Sequence, residues 1–169
     1  MNFTHHAVLA VGLVACAWDL RTRRIPNELT FGAAAAGLLV LGMTSGLAGV
    51  ANSVTGWACG VALFFPFFAL RGMGAGDVKL LAAFGAWLGP ADTLQLALSA
   101  AIAGGILALA LACANHYLST LLQNLRLLVI TWAIAGPCVV ETLTLDTARG
   151  PRLAYAVPLT IGAVITLWV

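Results

Sequence analysis

The sequence predicts an all-α membrane protein with about six transmembrane helices. Hydrophobic residues occupy 62% of the 169 positions, only 8% are charged, and the mean hydropathy is +1.01. A soluble domain is about 25% charged and could not bury this much apolar surface. The composition therefore excludes a soluble enzyme, a nucleic-acid-binding domain and a disordered linker. The net charge of +2 is too small to suggest a polyanionic partner.

The predicted helices follow from the lengths of the apolar stretches. A bilayer core of about 30 Å requires about 20 apolar residues per helix. Turn-forming residues near positions 25–27, 44–46, 72–76 and 89–92 divide the chain into apolar stretches. We predict one polytopic domain over residues 1–169, with spans at 3–18, 29–43, 47–70, 78–88, 93–114 and 153–169.

The distribution of basic residues predicts the orientation. If the N-terminus is outside, six spans leave the segments 19–28, 71–79 and 115–152 inside, and these hold all eight Lys and Arg residues. The positive-inside rule therefore favours this topology, with both termini outside. Its weak point is the apolar stretch 127–140, which is short and is interrupted by Gly136-Pro137. We expect this stretch to be interfacial or re-entrant, within an inner segment of about 115–152. If it crossed the membrane, the C-terminus would lie inside.

Two aspartates are predicted at the inner boundary of the membrane. Asp19 ends the first span, and Asp77 begins the short fourth span. Neighbouring helices pack 8–10 Å apart, so these side chains could meet. The helix from 77 to 89 would cover only about 20 Å, which would recess Asp77 and bring the glycines of 72–76 into the membrane. Irregular backbone at that depth requires a protein-lined or water-filled cavity, and an acidic residue there indicates a functional site.

Paired carboxylates have a characteristic chemistry. Two carboxylates a few ångströms apart share a proton. One can then act as a general base on water while the other, protonated, polarises a carbonyl group. This chemistry needs neither a metal ion nor a nucleophilic side chain. We expect no cofactor and no metal, because the four cysteines are scattered and His5 and His6 lie near the outer face.

Two motifs carry a family resemblance. Gly74-Ala75-Gly76-Asp77-Val78-Lys79-Leu80 resembles the GxGD signature of intramembrane aspartyl proteases, in the GxGDxK form of type IV prepilin peptidases. About 58 residues earlier, Asp19 is followed by a basic turn and by Ile25-Pro26-Asn27, which resembles the first catalytic segment of that family. The resemblance covers roughly residues 10–115. Beyond them, only a Tyr-x-x-Pro stretch at 155–158 matches loosely.

The resemblance implies an aspartic endopeptidase with Asp19 and Asp77 as its catalytic residues. Such enzymes lie in the bacterial inner (plasma) membrane and remove the basic leader of prepilin-like precursors on the cytoplasmic side. The short form resembles the dedicated peptidases of tight-adherence (Flp) pili, so a Flp-type pilin or pseudopilin precursor is the expected partner. Longer members carry an N-terminal domain with paired CxxC motifs and also methylate the product. We expect no methyltransferase role here, because the chain begins in its first span.

Several residues allow more than one interpretation. Gly74 and Gly76 are expected to support the site. Asp77 could also be the N-cap of its helix, and Pro26 and Asn27 fit a turn and the N-cap of the second helix. Lys79 could extend to the interface, bind the substrate or act electrostatically on the aspartates.

The same sequence features also suit other functions. A small proton-coupled transporter would use Asp19 and Asp77 as a proton relay. Transporters often contain internal repeats, and residues 1–70 and 71–169 show no such similarity. A structural assembly factor is a third and more distant alternative.

Overall fold

The chain is an all-α membrane protein. The computed structural model describes residues 3–144 and 153–168, and all regular secondary structure in these two ranges is helical. One short 3₁₀ turn, Glu141–Leu143, follows the fifth helix. The six α-helices of the described residues are α1 (Phe3–Thr22), α2 (Asn27–Ala69), α3 (Ala75–Leu88), α4 (Pro90–Ala114), α5 (Leu118–Ala135) and α6 (Ala156–Trp168).

The long helix α2 contains two of the predicted spans. Gly46 has non-helical dihedral angles (φ 58°, ψ −141°), and the carbonyl of Leu41 lies against Gly49. In a straight helix these two residues would be about 12 Å apart. The chain therefore reverses at Gly46, which confirms the turn predicted at 44–46. We call the two halves the first and second arms of α2.

The short helix α3 packs against both arms of α2. The indole N–H of Trp87 donates a hydrogen bond to the carbonyl of Ala33 in the first arm, at 2.8 Å. Gly56 of the second arm lies against the carbonyl of Gly85. All residues of α3 from Leu80 to Trp87 are buried. The fourth span is therefore confirmed as a helix, and its 14 residues, about 21 Å long, form the centre of the molecule.

The last helix, α6, packs against α1 and α4. Gly162 approaches the backbone of Leu96 and Ala100 in α4, and Thr160 lies against Gly12 of α1. Helix α6 begins at Ala156, three residues after the predicted start of the span. Three charged residues of the predicted inner segment, Asp146, Arg149 and Arg152, lie outside the described residues.

The apolar stretch 127–140, whose placement the sequence left open, belongs in part to a helix with different bounds. Helix α5 begins at Leu118, nine residues earlier, and ends at Ala135, with Gly136 as its C-cap at φ 75°. None of its 18 residues is buried. Among the described residues, α1, α2, α4 and α5 are long and apolar enough to cross a bilayer. The interfacial or re-entrant placement of 127–140 stays a prediction.

Candidate active site

Asp19 lies in the last turns of α1 and is bound by the start of α6. Its side chain is buried, with 7% of the residue surface exposed. The backbone N–H of Ala156 donates a hydrogen bond to Oδ2 of Asp19, at 3.2 Å. The first amides of a helix have no partner within the helix, and the helix dipole is positive there. The beginning of α6 is therefore a suitable place to hold a carboxylate.

Asp77 lies at the beginning of α3 and is held by its own segment. Its amide donates a hydrogen bond to the carbonyl of Gly74, at 3.2 Å. The backbone of Gly74 is in turn a hydrogen-bond partner of the Asp77 side chain. Gly74 is the N-cap of α3, so the interpretation of Asp77 as N-cap is wrong. Asp77 is the third helical residue, a position from which an acidic side chain reaches back to the N-cap amide.

Both motif glycines permit close approach. A methyl group at Gly74 would lie 3.2 Å from Oδ2 of Asp77, and one at Gly76 would lie 3.2 Å from Cβ of Ile25. Ile25 belongs to the turn between α1 and α2. The small residues therefore allow the Asp77 carboxylate to fold back on its loop and the two motif segments to pack together.

The fold brings the two aspartates together. Asp19 and Asp77 are 58 positions apart in the sequence, yet they are close enough for their charges to interact. In residues 3–144 and 153–168, no group of three or more His, Cys, Asp or Glu side chains could hold a metal ion. Two carboxylates whose charges interact can share a proton and activate water.

Lys79 connects the two motif segments. Its Nζ donates a hydrogen bond to Oδ1 of Asn27 at 2.9 Å and lies 5.4 Å from the ring centroid of Phe31. Of the two residues expected to form the turn and the N-cap of α2, Pro26 occupies the cap position. Asn27 is the first residue of α2, and its side chain accepts the hydrogen bond from Lys79.

Sequence reasoning gave little weight to the contribution of α6. The ring of Tyr155, the residue before α6, packs edge-on against Phe64 with a centroid distance of 5.9 Å. Its phenol is close enough to interact electrostatically with Asp77. The thiol of Cys16, one turn before Asp19, hydrogen-bonds to the carbonyl of Ala156 at 3.2 Å. The loose Tyr-x-x-Pro match was the only sequence signal for this contact, since a backbone amide has no signature of its own.

Two cavities lie near the motif segments. One of about 380 Å³ lies between the arms of α2 and α3, and its wall includes Phe31, Trp57 and Lys79. The other, of about 530 Å³, lies between the end of α2 and α5 and reaches Gly72, in the loop before Asp77. Neither of these two cavities is lined by Asp19 or Asp77.

Comparisons with known proteins identify a family that this sequence matches. The model of the type IV leader peptidase family matches residues 6–109, a range that includes both aspartates. Two curated proteins of Burkholderia pseudomallei, from strains 1026b and K96243, are each named prepilin leader peptidase/N-methyltransferase. Each is 39% identical over 114 residues, which is 61% of this chain and 37% of the relative. The chain thus spans little more than a third of the length of these relatives. No solved structure matches the chain.

Proposed function

Because the chain belongs to the type IV leader peptidase family, we propose that it is a membrane aspartyl endopeptidase that cleaves the leader from prepilin-like precursors. The observation that carries the proposal is the electrostatic interaction between Asp19 and Asp77. They come from two different helices, α1 and α3, that lie close enough for their charges to interact. Two neighbouring carboxylates have no evident packing role, whereas a pair that shares a proton can activate water for peptide hydrolysis.

The proposed mechanism uses one water molecule and one shared proton. The ionised carboxylate removes a proton from the water, and the resulting hydroxide attacks the carbonyl carbon of the scissile peptide. The protonated carboxyl donates its proton to the carbonyl oxygen, which gives a neutral tetrahedral diol. Collapse of the diol breaks the C–N bond. The first carboxyl passes its proton to the leaving nitrogen, and one hydroxyl of the diol returns its proton to the second carboxylate as the new carboxylic acid forms. The cycle consumes one water and leaves the pair singly protonated.

The surroundings of the pair support this chemistry. Asp19 is buried, and its Ala156 hydrogen bond fixes the orientation of one carboxylate before a substrate arrives. Fixed groups in a site with little water stabilise developing charge more strongly than mobile ones. The loop of residues 70–74 precedes Asp77 and contains two glycines, so it can adjust when a peptide enters.

Orientation toward the cytoplasm is also part of the proposal. Four basic residues lie in the same segments as the two aspartates: Arg21, Arg23, Arg24 and Lys79. The Gly46 turn, which joins the two arms of α2 at their other ends, carries no basic residue. The positive-inside rule then puts the site on the cytoplasmic face of the inner membrane. A leader of a Flp-type or pseudopilin precursor, which remains on that side, would reach the aspartates.

Reporter fusions test this orientation. Fusions in the turn at Gly46 and after Trp168 should both report the periplasmic side. A cytoplasmic signal after Trp168, with a periplasmic signal at Gly46, would mean that α5 crosses the membrane.

Reconstitution with a precursor tests the function. The purified protein in lipid vesicles is incubated with a prepilin-like precursor that has a basic leader, and the products are identified by mass spectrometry. We expect two fragments whose masses sum to that of the precursor plus one water. Proton flux without cleavage, measured with a pH-sensitive dye inside the vesicles, would favour the transporter instead.

A further inference from the structure

The orientation of Asp19 depends on the position of the first turn of α6. The group that binds Asp19 is the backbone amide of Ala156, which moves only when the helix start moves. The carbonyl of the same residue accepts the Cys16 thiol. Thus α1 contacts the start of α6 through both the backbone N–H and the carbonyl of Ala156. A shift of that turn would directly change the orientation of the Asp19 carboxylate.

Tyr155 lies immediately before this turn and is enclosed on two sides. Its ring packs edge-on against Phe64 of the second arm of α2. On the other side it fills a notch in α4 that exists because residue 104 is glycine. A methyl group there would lie 3.1 Å from Cε2 and 3.3 Å from the hydroxyl of Tyr155. The ring therefore fixes the distance of the α6 start from both α2 and α4.

The remainder of α6 is anchored independently of Tyr155. Gly162 packs closely on the backbone of α4 at Leu96 and Ala100. The Thr160 hydroxyl is within 3.1 Å of Cys16 Sγ. Loss of the Tyr155 contact would consequently disturb the first turn of α6 more than the packing of the helix as a whole.

We propose that Tyr155 is a positioning residue of the active site: its ring, held between Phe64 and Gly104, sets the first turn of α6 so that the Ala156 amide holds Asp19 toward Asp77. This inference rests on the proposed peptidase function. It assigns to the C-terminal helix, which lies outside the matched residues 6–109, a part in organising the site. The proximity of the Tyr155 phenol to Asp77 is consistent with this placement.

Adjacent glycines in α4 provide a matched pair of variants. Gly104→Ala introduces a methyl group against the Tyr155 ring, whereas Gly105→Ala introduces one with no atom within 4 Å. Both changes have the same effect on intrinsic helix propensity. We expect Gly104→Ala to lower kcat for precursor cleavage about tenfold or more with little change in KM, because small displacements of catalytic groups are costly. Gly105→Ala should behave like the unmodified protein.

A double-mutant cycle shows whether the effect passes through Tyr155. Tyr155→Leu should lower kcat by a similar factor, and Gly104→Ala should add little in that background, because the ring it displaces is absent. Tyr155→Phe retains the ring and should restore most of the activity. Independent, multiplicative effects of Gly104→Ala and Tyr155→Leu would overturn the proposal.

A thiol measurement tests the same displacement without using activity. In a variant whose other cysteines (Cys59, Cys113 and Cys138) are replaced by alanine, the rate of Cys16 alkylation by a maleimide is measured. The rate should rise severalfold on Gly104→Ala or Tyr155→Leu and stay constant on Gly105→Ala. Equal rates in the two alanine variants would refute the positioning role. If the unmodified protein cleaved no precursor, the proposed function would fail, and the alkylation rates would still decide whether Tyr155 sets the turn.

Discussion

The two aspartates are held in different ways. Asp77 is held by its own segment, since it hydrogen-bonds to Gly74, three residues earlier. Asp19 is fixed by a backbone amide 137 residues away, at the start of α6. The difference shows that one half of the site, around Asp77, is local, whereas the other half, around Asp19, depends on the packing of α6 against α1. Substitutions that affect only one of these halves should therefore have distinguishable effects on precursor cleavage.

The largest effect is expected when either carboxylate is removed. Asp19→Asn and Asp77→Asn should each abolish precursor cleavage while the protein still inserts and accumulates. Asparagine preserves the size of the side chain but cannot take a proton from water or return one to the leaving amine. General acid–base catalysis alone accounts for about 10²–10⁴-fold in rate. Cleavage is followed by the mobility shift of the precursor.

Asp92→Asn is the matched control for these variants. Asp92 lies in the first turn of α4, at the end of α3 opposite Asp77, and is exposed. Its replacement should leave cleavage nearly unchanged. A loss as large as that of the other two variants would indicate that Asp→Asn changes inactivate the protein through general destabilisation.

A smaller effect is expected from crowding the local half of the site. Gly74→Ala would put a methyl group 3.2 Å from Oδ2 of Asp77, tighter than ordinary van der Waals contact. We expect kcat to fall on the order of tenfold to a hundredfold, since the carboxylate must turn aside. Gly32→Ala, where nothing lies within 4 Å, is the control. Wild-type kcat in Gly74→Ala would mean that Asp77 does not depend on its glycine loop.

The smallest effect is expected from the bridge between the motifs. Lys79→Ala and Asn27→Ala each remove the exposed 2.9 Å hydrogen bond, and such a bond contributes on the order of 1 kcal/mol. Each variant should lose about twofold to tenfold of the cleavage rate, and the double variant should lose no more than the worse single one. Additive losses would show that Lys79 acts elsewhere, for example on the substrate.

The sequence predicted the local features of the fold better than the distant ones. The Gly46 reversal and the short helix that contains Asp77 could be inferred from spacing, because turn residues and span lengths constrain them directly. The proximity of Asp19 and Asp77 is the exception among distant features, since both residues were predicted at the same end of their spans. The alternative in which Asp77 caps its helix is wrong, because Gly74 is the N-cap. Of Pro26 and Asn27, Pro26 is the N-cap of α2, and the Asn27 side chain bonds Lys79, a tertiary contact that local sequence does not reveal.

The C-terminal part was the least predictable. Helix α5 extends nine residues before its apolar stretch, through a polar segment whose propensity for helix is not reflected in hydropathy. The contact between α6 and Asp19 uses a backbone amide of alanine, and every residue except proline has such a group. Only the assembled helices determine which amide reaches the carboxylate.

The central claim is that Asp19 and Asp77 act as one catalytic unit, and single-turnover cleavage by the purified single and double Asp→Asn variants tests it most directly. Members of a unit are not additive, because removal of one already disables the chemistry. We predict that each single variant will be as inactive as the double variant, with the folded fraction unchanged. Near-normal cleavage by Asp19→Asn with Asp77 intact would contradict the claim and would remove α1 from the active site.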